Sequence, residues 1–233
     1  MKTIVLSGTK DYDLRFHDEN VLLRYENFAG RVNLELSGKV SLYEISSEPS
    51  IAKRYLSVTG NVELSSVLHN GNYDLDITLS DQATCSTRSA FLADNADTSF
   101  NYLVKHRGRS SKSDLYLYSL VKDASKTSAL EINFEPGAVD SEAQEKETAI
   151  LLNDSAKNRS TPAIYCGEEN IHGSHALSCG HISADKLTYL KTRGLNDNQI
   201  RKLLIESNIQ YITSRIKSKT VLKYIQEIVK KYV

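Results

Sequence analysis

The chain has 233 residues, with 29 Lys and Arg against 29 Asp and Glu, so its formal charge is zero. That balance excludes nucleic acid as the main partner, since phosphate binding needs a positive surplus or face, and it favours association with another protein over mutual repulsion. Three cysteines in a chain this long make no disulfide framework, and the apolar run within residues 1–8 is too short for a signal peptide or a membrane span; the expectation is a cytoplasmic protein with reduced thiols and no membrane partner.

From Thr3 to about residue 165 the pattern is that of short strands. Val32, Leu34 and Leu36 alternate with Asn33 and Glu35, and Tyr73, Leu75, Ile77 and Leu79 alternate with Asp74, Asp76 and Thr78. Phe100, Tyr102 and Val104 repeat the pattern, as do Leu130, Ile132 and Phe134. A period of two places the apolar side chains of each run on one strand face. The intervening clusters, such as Asn70-Gly71-Asn72 and Lys105-His106-Arg107-Gly108, carry turn chemistry. After residue 90 the strands return at intervals of about 13 to 19 residues. That spacing suits a solenoid of stacked strands, and periodicity alone suits a sandwich or barrel equally well. The glycines are scattered, with no phosphate-binding loop, so this chain is expected to bind no nucleotide.

The densest chemistry lies between Pro162 and Arg193. Cys166, Cys179, His172, His175, His181 and the pair Glu168-Glu169 gather where the pattern changes from strand to helix. Thiolate, imidazole and carboxylate are all metal ligands. Each also has a plainer reading: a His bonded at a strand end, a Cys used as a small apolar residue, an acidic turn. Cys85, among Thr84, Ser86 and Thr87, reads as a core thiol or, more weakly, as a sulfur relay.

Residues 183–233 read as helical. Ser183 caps a helix over about 184–192 that ends at Gly194, and Asn196 with Gln199 forms a capping box for a second over about 197–207. A third follows Ser218, with Val221, Leu222, Ile225, Ile228 and Val229 in one stripe and Lys230 and Lys231 near its end. The domain boundary is therefore set at 182/183.

Glu168-Glu169, Ser174-His175-Ala176, Gly180, Leu187-Thr188-Tyr189-Leu190 and Thr192-Arg193-Gly194 occur in an order that resembles the C-terminal signature of the SufB/SufD family, the scaffold proteins of SUF-type iron–sulfur cluster assembly. The likeness extends upstream through Pro162, Leu151-Leu152 and His106-Arg107-Gly108, and covers about residues 100–215. It implies a mainly β protein, a right-handed parallel β-helix followed by a small α-helical region, in a short form without the family's N-terminal helical domain. It implies a non-catalytic scaffold that handles a transient iron–sulfur cluster or iron at a dimer interface. His175 is then the first candidate ligand, with Glu168, Glu169, Cys166 and Cys179 beside it. The resemblance also implies a SufC-like ABC ATPase as partner, docked through Lys186, Leu187, Tyr189, Leu190, Arg193, Arg201, Leu204 and Ile205, and either a SufB-like chain or a second copy as the other subunit.

Ala176 stands where SufB-type chains carry a Glu, and Glu147 falls near the place of their sulfur-accepting Cys, so the chain looks closer to SufD. Two other readings compete: a β-solenoid enzyme acting on polysaccharide, with Asp74 and Asp76 as its carboxylates, and a divergent paralogue without a cluster role. The lack of Trp for sugar stacking disfavours the first.

Overall fold

The computed structural model describes residues 1–232, leaving aside the side chains of Arg201, Asn208, Lys231 and Tyr232. The chain winds between two parallel sheets. Sheet A holds β1 (Lys2–Gly8), the first half of β3 (Asn20–Ser37), β4 (Lys39–Ser46), β6 (Asn61–His69), β8 (Thr84–Asp94), β10 (Lys112–Lys122), β12 (Ser141–Leu151) and β14 (Ile171–His181). Sheet B holds β2 (Tyr12–His17), the second half of β3, β5 (Ser50–Val58), β7 (Gly71–Leu79), β9 (Thr98–His106), β11 (Ser125–Phe134) and β13 (Lys157–Cys166). Each strand pairs in parallel with the strand one coil away, as β4 does with β6 and β5 with β7. This is a parallel β-helix. One coil takes two strands, so the intervals of 13 to 19 residues in the sequence are half-coils. A full coil lengthens along the axis, from 20 residues between Asp13 and Asn33 to 32 between Ser128 and Ser160.

The alternating runs read from the sequence all point inward. Val32, Leu34, Leu36, Tyr73, Leu75, Ile77, Leu79, Phe100, Tyr102, Val104, Leu130, Ile132 and Phe134 are buried between the sheets. The corners are closed by side chains that accept from the next coil's backbone. Asp18 Oδ1 accepts from Lys39 N at 2.7 Å, Asp81 Oδ1 from Arg109 N at 2.9 Å, and Asp97 Oδ1 from Ser125 N at 3.0 Å. Gly71 is required at its corner: its φ is +107°, and a Cβ there would lie 2.1 Å from Ser50 O.

The interior is not uniformly apolar. Glu44 and Arg54 form a fully buried ion pair at 2.5 Å, with Tyr25 Oη and Ser66 Oγ also donating to the Glu44 carboxylate. The Arg54 guanidinium lies 5.7 Å from the ring centres of both Tyr73 and Tyr102. Burial of a charge is tolerated only when it is paired in this way.

Three helices follow: α1 (Ala184–Thr192), α2 (Asp197–Thr213) and α3 (Lys219–Tyr232). Ser183 caps α1 by accepting from Lys186 N, Gly194 has a φ of +87°, and Asn196 with Gln199 closes a capping box on α2. The sequence stops α2 near residue 207; the helix runs on to Thr213 because Ile209 and Ile212 continue its buried stripe. Ile205, Ile209, Ile212, Val221, Ile225 and Ile228 pack on the outer face of sheet A, against Leu22, Tyr43, Ile45, Val67, Ala90, Leu92 and Tyr118. At roughly 1.5–3 kcal/mol per buried aliphatic side chain, this contact holds α2 and α3 firmly. By contrast, α1 buries no residue.

The two ends of the solenoid differ. At the first coil Leu6 and Phe16 are buried, while Lys2 Nζ lies 5.2 Å over the Phe16 ring and Lys10 Nζ 4.9 Å over Tyr12. Two lysine ammonium groups thus lie over aromatic rings at this end. At the last coil, β13 and β14 each pair on one side only, and β14 is exposed along nearly its whole length.

Candidate functional site at the open end of the solenoid

The register of β14 on β12 determines which way its side chains face. Ala143 pairs Gly173, Glu145 pairs His175, Glu147 pairs Leu177, and Ala149 pairs Cys179. The four β12 residues are buried and form the inner face of that coil. Parallel neighbours in register stack on the same face about 4.8 Å apart. His175, Leu177 and Cys179 therefore continue the solenoid's inner face one strand past its last closed coil, and they are exposed because no strand covers them. In sheet B, Phe134 pairs Cys166, which puts that thiol on the inner column of the same open mouth. Cys166 and Cys179 are both exposed and free. Three of the five candidate ligands thus face the same open end, Cys166 level with Gly173 at the start of β14 and Cys179 six residues further along that strand.

The other two lie elsewhere. Glu168 and Glu169 occupy the turn between β13 and β14. The Glu168 carboxylate accepts from Glu169 N at 2.9 Å and from Gly137 N at 3.2 Å, and these backbone hydrogen bonds hold its carboxyl below the usual range. The geometry gives Glu168 a turn-closing task. Among the described residues, no three His, Cys, Asp or Glu side chains lie close enough together to hold a metal ion within one chain.

Cys85 sits on β8, three strands in from the end. It is 2 % exposed, its Sγ lies 3.8 Å from Thr87 Oγ1, and burial pushes its thiol up to about 11. A neutral thiol packed in a core is a poor nucleophile. The motif residues His106, Arg107 and Gly108 likewise have local duties. Buried His106 bonds Ser111 Oγ at 2.8 Å through Nδ1 and Ser113 Oγ at 2.9 Å through Nε2, and Arg107 pairs Glu135. Gly108 leaves room for the backbone at Asp81, 2.0 Å from where its Cβ would stand.

Beneath the mouth lies a polar floor that the strand pattern of the sequence does not disclose. Lys126, 1 % exposed, pairs with Glu147 and donates to Ser128 Oγ at 3.0 Å; Ser128 Oγ lies 3.2 Å from Glu147 Oε2. Burial lowers the Lys126 ammonium, and Glu147, with a smaller contribution from Cys179, works against that shift. Glu145 is 3 % exposed, and its Oε2 has no hydrogen-bond partner. Burial, then the neighbouring Glu147, raise its carboxyl to about 8. The sequence SEAQEKETAIL carries polar residues on both strand faces, so its pattern does not show that Glu145 and Glu147 turn inward. In the sequence, Glu147 draws notice only for its place near a family cysteine.

The residues expected to dock an ATPase divide by exposure. Lys186, Tyr189 and Arg193 are exposed on α1, with Arg193 5.3 Å over the Tyr189 ring, and Leu187 and Leu190 are half-buried. Leu204 is half-buried on α2. Ile205 is fully buried against sheet A, which removes it from any outward face, and the side chain of Arg201 lies outside the described residues. The carboxylates of the polysaccharide reading are engaged: Asp74 accepts from Asn101 Nδ2 at 2.8 Å and Asp76 pairs Lys105 at 2.6 Å. No described helix is long and apolar enough to cross a membrane.

The family model for "SUF system FeS cluster assembly, SufBD core domain" matches residues 33–208. The chain is similar to the iron–sulfur cluster assembly protein SufD of Bacillus subtilis, 22% identical over 135 residues, which is 58% of this chain and 31% of that protein. It is also similar to an iron–sulfur cluster assembly SufBD family protein of Synechocystis, 32% identical over 65 residues, 28% of this chain and 14% of that one. The matched segments thus span less than a third of either relative's length.

Proposed function

The chain belongs to the SufBD core family of SUF iron–sulfur cluster assembly, and from that premise we propose that it is a non-catalytic scaffold subunit whose open C-terminal end holds a nascent cluster or its iron. The observation that carries the reading is the contrast between the two ends. The inner column of the first coil is apolar, with Leu6 and Phe16 buried and Ile4, Tyr12 and Leu14 partly buried, whereas the last coil presents His175, Cys179, Leu177 and Cys166 in an unsealed mouth. Such an edge is a place for a second chain to add. Two mouths brought face to face double the imidazole and thiol donors, so that ligands from both chains complete one set. The facing chain is a second copy or a SufB-like subunit.

The exposed face of α1, with Lys186, Tyr189 and Arg193, is the docking surface for a SufC-like ABC ATPase, and Leu187, Leu190 and Leu204 provide its apolar part. A short helix lying outside the core is an ordinary element to offer to a groove. ATP-driven closure of two such ATPases then moves α1 against a helix pair anchored on sheet A, and remodels the seam between the scaffolds. Mixing the purified chain with the ATPase tests this arm. Stable binding at micromolar concentration and faster ATP turnover are expected, and Tyr189→Ala with Leu190→Ala should abolish both while leaving the fold unchanged. No binding by the unaltered chain removes the reading.

A further inference from the structure

We infer that Glu145 is the positioning residue of His175, accepting a hydrogen bond from the imidazole and so fixing which ring nitrogen faces the mouth. Three buried carboxylates are found among the described residues: Glu44, Glu145 and Glu147. Glu44 is satisfied by Arg54, Tyr25 and Ser66, and Glu147 by Lys126 and Ser128. Glu145 stands apart, with a buried oxygen that nothing in the chain satisfies. A carboxylate oxygen left unpaired in a core is costly and calls for a donor.

The neighbours of Glu145 restrict the choice. One coil below in its own column is Leu115, and along β12 on the same inner face are Ala143 and Glu147. None of these has a hydrogen-bond donor in its side chain. One coil above, in register and on the same face, is His175. Lys126 is committed to Glu147 and Ser128. The imidazole is thus the one adjacent side chain in this column able to donate, and its ring lies where nothing covers it. An imidazole that gives one N–H to a carboxylate presents its other nitrogen as a lone pair of defined direction. For its consequence this inference rests on the reading of His175 as a ligand. Loss of such a partner lowers metal affinity by about 10- to 100-fold.

Nuclear magnetic resonance of the 15N-labelled histidine rings tests it at a fixed pH of about 9, where the Glu145 carboxyl is ionised, with the His175 signals identified by their disappearance in His175→Ala. A single His175 tautomer is expected in the unaltered chain, and the mixed tautomers of an unrestrained imidazole in Glu145→Met. Glu145→Gln, which keeps an accepting oxygen, should retain the single tautomer and guards against loss of fold in the Met variant. Binding of Co(II) alone should weaken at least tenfold in Glu145→Met and remain in Glu145→Gln. The same tautomer populations in all three proteins, or a Gln variant that behaves like Met, would overturn the assignment. If the tautomer responds as expected but His175→Ala binds Co(II) as well as the unaltered chain, the positioning role stands and the ligand reading of His175 falls.

Discussion

At the residue scale, the three cysteines are the sharpest case of one residue type in two environments. Cys85 is sealed in the core with its thiol pushed up to about 11, while Cys166 and Cys179 are exposed at the mouth. Brief treatment of the native protein with iodoacetamide should alkylate Cys166 and Cys179 and spare Cys85 until denaturant is added; mass spectrometry reads the outcome. His106 makes a pH prediction. Burial lowers its folded pKa to about 4 from an ordinary 6.5, so the unfolded chain binds more protons between these values. The stability this histidine contributes is present above pH 6.5 and is lost as pH falls towards 4. Urea midpoints measured across that window should fall more steeply for the unaltered chain than for His106→Gln. Lys126 makes the third. Removing one partner of a buried pair leaves the other charge unsatisfied and costs about 3–5 kcal/mol. Lys126→Met should cost that much, and Lys126→Met with Glu147→Met should recover most of it, by denaturant unfolding.

Elements differ in how much tertiary packing has to contribute before they become legible. The inner strands of sheet B are readable because their alternation is strictly apolar, as in Tyr73 to Leu79. The caps of α1 and α2 are readable because capping is local chemistry of three or four residues. The end of α2 is not, since Ile209 and Ile212 owe their helical place to sheet A rather than to a local signal. Nor is β12, where Glu145 and Glu147 occupy inner positions that binary patterning reserves for apolar residues. Their facing follows only from register with β10 and β14. Glu168-Glu169, conspicuous in the sequence, belongs to a turn. Ile212→Ala removes a fully buried side chain from the helix–sheet contact, and should cost about 2–5 kcal/mol by denaturant unfolding. Leu203→Ala, on the exposed side of the same helix, should stay within about 0.5 kcal/mol.

For the whole molecule, the architecture separates two surfaces. The inner column of the solenoid, continued past its last closed coil, carries His175 and Cys179 with Glu145, Glu147 and Lys126 beneath them. The outer face of sheet A carries α2 and α3 as a fixed base, from which α1 projects with none of its residues buried. The candidate site and the α2–α3 base thus share sheet A, and α1 follows β14 directly in the chain. Fold class is legible in the sequence from alternation joined to family resemblance, whereas the contrast between the two ends is not, because it depends on which coil each side chain reaches. Anaerobic cluster reconstitution, followed by iron and acid-labile sulfide content, tests the central claim most directly. His175→Ala is expected to lose most of the iron and sulfide retained by the unaltered chain at unchanged thermal stability; equal retention by the two proteins would contradict the placement of the cluster at the open end.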